Sequence, residues 1–65
     1  MSYLMMSERE QIDGFWYYYL RATGKWHVFI HVPPDMVKIV ENVDTLERAK
    51  DIARKFAKLK KENNE

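Results

Sequence analysis

With 65 residues, no Cys and two His, the chain has the size of one domain and lacks the disulfides that often reinforce domains this small, as well as a Cys/His set for a structural metal. A domain of this length buries only about 60% of the surface its unfolded chain exposes, so marginal stability, or support from a second copy, is expected. A net charge of +1 argues against a polyanion binder that uses its whole surface.

No apolar run approaches the roughly 20 residues needed to span a bilayer, and Tyr3-Leu4-Met5-Met6 is too short for a signal-peptide core. Together with the absence of Cys, this leads to the expectation of a soluble, cytoplasmic protein. The charge is unevenly spread. Residues 45–61 hold seven cations against two acids, a local balance of +5.

In chain order, Ser7-Glu8-Arg9-Glu10 has capping-box spacing and predicts a short N-terminal helical turn that Gly14 ends. Residues 1–12 are otherwise expected to fray, with Met5 or Met6 as an alternative start. Phe15 to Arg21 is dense in β-formers. After Thr23-Gly24, the run Lys25 to Val32 alternates with Trp26, Val28, Ile30 and Val32 in phase, which predicts a hairpin. Pro33-Pro34-Asp35 stops the second strand, and a third runs from Met36 to Val43.

Asp44-Thr45-Leu46-Glu47 offers two alternative N-caps. Beyond it, Leu46, Ala49, Ile52, Ala53, Phe56 and Leu59 recur at the helical period, predicting a helix from about residue 45 to about residue 61, with residues 62–65 frayed. The expected fold is therefore α+β: a single domain in which a three-stranded antiparallel meander carries one long C-terminal helix on one face, β-β-β-α.

The hairpin loop decides which aromatic residues remain outside. A three-residue loop, Ala22-Thr23-Gly24, pairs Arg21 with Lys25 and sends Trp16, Tyr18, Leu20, Trp26, Val28 and Ile30 beneath the helix. Phe15, Tyr17, Tyr19, Arg21, Lys25, His27, Phe29 and His31 then lie on the open face. A two-residue loop, Thr23-Gly24, would flip the first strand and bring Phe15, Tyr17 and Tyr19 to the core with Trp26. The three-residue form is preferred because Thr in the tighter turn would need positive φ. In the third strand, Val37, Ile39 and Val43 are expected on the core face, with Lys38 and Val40 on the open one.

On this register Phe15, Tyr17, Tyr19, Arg21, Lys25, His27, Phe29, His31 and Lys38 make an aromatic platform rimmed by cations. Single-stranded nucleic acid would use such a face through base stacking and phosphate pairing. The alternative occupant is a protein, including a second copy that closes the same face, since aromatic patches also mark protein interfaces. A secondary basic face on the helix, Arg48, Arg54, Lys55, Lys58 and Lys61, is suited to phosphates and equally to simple solvation. His27 and His31 lie about 13 Å apart on one strand, too far to share an ion.

Neither a catalytic nor a cofactor site is expected. The only serines are Ser2 and Ser7, no Gly-rich loop precedes a helix, and the carboxylates are scattered. Gly24-Lys25-Trp26, followed by strands and then Asp44-Thr45-Leu46-Glu47-Arg48-Ala49-Lys50, resembles in layout the AP2-like N-terminal DNA-binding domain of phage and transposon integrases. The resemblance covers about residues 15 to 60 and implies a sheet that enters a DNA groove. Departing from that pattern, the strands here are richer in aromatics than in Arg and Lys, and the Pro33-Pro34 turn lacks a basic tip. The sequence thus points to a small non-enzymatic module that binds nucleic acid, or a protein partner, through its open sheet face.

Overall fold

Three turn dipeptides, Asp13-Gly14, Thr23-Gly24 and Pro33-Pro34, punctuate the chain at intervals of ten residues. In the computed structural model, which describes residues 6–63, they separate β1 (Met6–Ile12), β2 (Phe15–Ala22), β3 (Lys25–Val32) and β4 (Asp35–Val43), after which comes helix α1 (Leu46–Asn63). The strands form one antiparallel sheet in chain order, and α1 lies across β2, β3 and β4 on one side of it. The class is α+β with a C-terminal helix, but the sheet has four strands where three were expected.

The additional strand is β1, the segment expected to form a helical turn. Ser7 to Glu10 has the spacing of a capping box, yet no helical apolar stripe follows it, so nothing would be buried by winding it up. Asp13 (φ 52°) and Gly14 (φ 87°) instead make a type I′ turn, whose twist matches that of paired strands. This folds β1 onto β2 with Ile12 opposite Phe15, Glu10 opposite Tyr17 and Arg9 opposite Tyr18. Residues 6–12, expected to fray, are thus an edge strand. The part of that expectation concerning residues 1–5 lies outside the described residues. At the other end the helix continues through Glu62 to Asn63, past its expected limit, and residues 64–65 again lie outside the described residues.

The β2–β3 hairpin closes on the tighter loop. Ala22 pairs with Lys25 and Arg21 with Trp26, so Thr23 (φ 51°) and Gly24 (φ 77°) form the turn alone. Positive φ at a β-branched residue is unfavourable by about 1–2 kcal/mol, which is why the sequence favours the longer loop. Here the Thr23 hydroxyl donates to the Ala22 carbonyl at 2.5 Å, giving the strained residue a local bond. A greater stabilisation comes from the two tyrosines that this register puts beneath the helix. Tyr17 and Tyr19 are 1% and 0% exposed, and burying a side chain of that size contributes about 1.5–3 kcal/mol.

α1 is shaped to receive those rings. Its buried line is Ala49, Ala53 and Ala57, spaced by four, and small side chains there leave room for Tyr17, Tyr19, Val28 and Ile30. Leu46, Ile52 and Phe56 flank the line and pack partly buried against the core. Leu59, expected within the apolar stripe, falls off its edge and is 60% exposed. Thr45 is the N-cap: its hydroxyl oxygen accepts from the Arg48 amide at 3.1 Å, while Asp44 turns away to pair with Lys25.

β4 changes phase partway along. Lys38 lies opposite Phe29 and Val40 opposite Val28, which makes Ile39 an additional residue, and a second shift precedes Val43, where Asn42 has φ 65°. Such bulges reverse the strict alternation of a strand. Val40, expected on the open face, therefore packs with Ile39 against the core, whereas Lys38 and Val43 lie where expected. The Pro33-Pro34 bond between β3 and β4 is cis.

Candidate functional site

Registered partners in an antiparallel sheet share a face, so the ladder assigns each paired strand residue to a side. Toward α1 point Glu8, Glu10 and Ile12 of β1, Phe15, Tyr17, Tyr19 and Arg21 of β2, and Trp26, Val28, Ile30 and Val32 of β3. Away from it point Arg9 and Gln11, then Trp16, Tyr18 and Leu20, then Lys25, His27, Phe29 and His31, and finally Met36 and Lys38. No element among the described residues covers this second set.

The open face is organised in rows that cross the sheet. The middle row reads Arg9, Tyr18, Phe29, Lys38, one residue from each strand: two rings between two cations. At about 4.8 Å per strand the row spans about 14 Å. The next row reads Gln11, Trp16, His31, Met36, and on the other side Leu20 lies opposite His27. Side chains meet both between rows and within one. The Arg9 guanidinium carbon sits 4.7 Å from the centre of the Trp16 ring, the Lys38 ammonium 5.9 Å from that of Phe29, and Tyr18 meets His31 edge-on at 6.5 Å and 71°. Trp16, Tyr18, Leu20, His27, Phe29 and His31 are all half-buried, so the face is a bed of rings and one aliphatic side chain whose outer surfaces stay accessible.

Among the described residues, carboxylates meet this face at one end only. Glu41 Oε1 lies 2.8 Å from Lys38 Nζ, and Asp44 Oδ1 lies 2.5 Å from Lys25 Nζ. Hydrogen bonding and the charge of Lys38 hold the Glu41 carboxyl below its ordinary value, with His27 acting in the same sense, and Lys25 does the same for Asp44.

Of the residues expected on the open face, Lys25, His27, Phe29, His31 and Lys38 are there. The β2 members are not, because the register is shifted. Tyr17 and Tyr19 are buried, Phe15 is half-buried with the Lys60 ammonium 4.2 Å from its ring centre, and Arg21 points to the helix side while remaining exposed. Burial and the nearby Asp13 raise the Tyr17 phenol above its ordinary value. Tyr19 is pushed up further by burial and by donating to Glu10 Oε2 at 2.7 Å. In their place the face gains Arg9, Gln11, Trp16, Tyr18, Leu20 and Met36. The signal that would have found Arg9 and Gln11 is Asp13-Gly14, one of the strongest hairpin-turn dipeptides, which creates β1; Trp16, Tyr18 and Leu20 follow from the two-residue Thr23-Gly24 loop.

The basic helix face is partly committed to holding the fold together. Arg54 reaches Glu10 at 3.5 Å and Lys50 reaches Glu8 at 2.9 Å, tying α1 to β1, while Lys55 pairs with Asp51 at 3.2 Å within the helix. Arg48, Lys58 and Lys61 are exposed, and among the described residues no carboxylate lies within 4.0 Å of them. An open groove between the β1–β2 turn and the end of α1 is lined by Asp13, Phe15, Tyr17, Ala57, Lys60 and Lys61. Among the described residues no helix is long and apolar enough to cross a membrane, and no three His, Asp or Glu side chains gather as they would around a metal. The chain matches no known family model, curated protein or solved structure.

Proposed function

We propose that the open sheet face is a non-catalytic platform for single-stranded nucleic acid. The observation that carries this reading is the middle row, in which Tyr18 and Phe29 lie side by side between Arg9 and Lys38. Unstacked bases of any identity can lie on accessible rings, each such contact being worth about 1–3 kcal/mol, while edge cations meet the phosphates on either side. Trp16 and His31 in the adjoining row extend the bed, so two or three bases fit the width of the sheet. A duplex hides its base faces and would leave these rings without partners. The likeness to AP2-like integrase domains enters only as layout, and no contact residue is taken from it. A nucleic-acid partner also fits a cytoplasmic setting.

Leu20 and Met36 favour a second reading, in which a protein, or a second copy of the chain, covers the face. They bring aliphatic surface to a patch already composed of Trp, Tyr, Phe and Arg, the residues enriched at protein interfaces.

Fluorescence anisotropy with labelled single-stranded DNA and RNA and with duplex DNA, across a salt series, separates the two. The proposal expects single strands to bind more tightly than duplex, with affinity falling as salt rises, the logarithmic slope being about 0.7 per phosphate engaged. An absence of single-strand binding at low salt rejects it. Sedimentation at high protein concentration tests self-association, for which a dimer lost on Trp16→Ala is the supporting result.

A further inference from the structure

The cations of the open face are not equally available. Arg9, on β1, has its guanidinium over Trp16, and among the described residues no carboxylate lies within 4.0 Å of it. Lys38 and Lys25, on the opposite side of the sheet, are each held by an acid from the stretch that ends β4: Glu41 at 2.8 Å and Asp44 at 2.5 Å. The bulges make this possible. After Ile39 and again at Asn42 the strand departs from alternation, and the outcome is that Glu41 and Asp44 turn toward the open face while Val40 and Val43 stay against the core.

Resting on the nucleic-acid reading above, we infer that Glu41 and Asp44 form an internal counter-anion that competes with phosphate for Lys38 and Lys25. A bound strand engages Arg9 without displacing a carboxylate, but reaches the two lysines only by opening their ion pairs. Both pairs are solvent-exposed, so opening them is feasible and the acids act as a graded restraint, not a block. The restraint sets specificity. A ligand that offers only phosphate charge, such as duplex DNA, gains little on the β4 side, whereas a strand that also stacks on Tyr18 and Phe29 brings its phosphates to the lysines with the help of that stacking.

The test compares wild type, Glu41→Gln, Asp44→Asn, the double variant, and Glu47→Gln, which removes the same single charge from an exposed position on α1. The probes are a labelled single strand and a labelled duplex of equal length, titrated over a salt series, with circular dichroism confirming that each variant is folded. The expected result is single-strand affinity about twofold to fivefold tighter for each of Glu41→Gln and Asp44→Asn. In the double variant the logarithmic salt slope should steepen by about 0.7 for each lysine released. Duplex binding should gain by a larger factor than single-strand binding, because charge is all the duplex uses, while Glu47→Gln stays within about twofold of wild type. Wild-type binding with unchanged affinity and slope in the double variant overturns the counter-anion and leaves the nucleic-acid reading standing. Equal tightening by Glu47→Gln also overturns it, since the effect would then be net charge alone. If neither wild type nor the double variant binds any strand at low salt, the nucleic-acid reading itself fails. Binding by the double variant alone would be the restraint in its strongest form.

Discussion

The two faces of the sheet are made from similar aromatic residues and differ in how those residues are finished. Under α1, Tyr17 and Tyr19 have every apolar edge against Ala49, Ala53, Ala57 and their neighbours, and the Tyr19 hydroxyl ends on Glu10, which in turn meets Arg54. On the open side Trp16 meets Arg9, Tyr18 meets His31 and Phe29 meets Lys38, and no second layer among the described residues covers them, so all three stay half-buried. The lesson is that a surplus of aromatic residues carries no assignment by itself. A ring stabilises the fold where a second layer exists to meet it, and becomes a candidate contact where none does.

The largest effect tests this contrast directly. Tyr19→Ala should lower stability by about 3–5 kcal/mol in urea unfolding, enough to leave a domain of this size largely unfolded. Tyr18→Ala, its neighbour on the opposite face, should lower it by about 1 kcal/mol or less. Similar losses for the two variants would break the distinction between the faces.

The contrast should invert for binding. Tyr18→Ala and Phe29→Ala should each weaken single-strand affinity by about 1–3 kcal/mol, while Leu59→Ala, exposed on the helix side, should leave it unchanged. Equal losses from all three would remove the open face as the contact surface.

A smaller change sharpens the register on which both faces depend. Thr23→Asn places a residue that tolerates positive φ at the first position of the Thr23-Gly24 turn, and should stabilise the protein by about 0.5–1 kcal/mol. Destabilisation would indicate the longer loop and the opposite assignment of β2.

The smallest effect is expected from pH. Glu41 and Asp44 have folded-state values below their ordinary 4.5 and 3.8, so within that interval the unfolded chain holds more protons than the folded one. Their contribution is complete above the ordinary values and is lost as pH falls through the native ones. The urea midpoint should therefore decline below about pH 5, and Glu41→Gln with Asp44→Asn should flatten that decline. An unchanged slope would mean that the two ion pairs contribute nothing to folding.

Much of the fold is legible from local pattern. The helix is readable because Thr45, then Leu46 to Phe56, combine a cap with a stripe at one period, and β3 because Trp26, Val28, Ile30 and Val32 alternate without a break. β1 was legible in principle. Its Ser-to-Glu spacing suits a helix start, but Asp13-Gly14 falls ten residues before Thr23-Gly24 and twenty before Pro33-Pro34, and that recurrence marks a meander. The β4 bulges had no such signal, since Ile39-Val40 reads as an ordinary step in an apolar strand. The acids of β1 were visible, but their partners Lys50 and Arg54 are more than forty residues away, and pairing at that separation exists only once the layers meet.

The sequence by itself determined the class, the single C-terminal helix, the alternation of β3, and therefore the placement of His27, Phe29 and His31 away from the helix. Each of these rests on interactions between residues close along the chain. Tertiary structure decided which half of the run Phe15 to Leu20 would be buried. Both parities of β2 offer aromatic residues to the core, and the turn preference of Thr23 opposes the one adopted by only about 1–2 kcal/mol. The pairing of β1, the alanine line of α1 and the bond from Tyr19 to Glu10 act together across the layers, and they are enough to outweigh it.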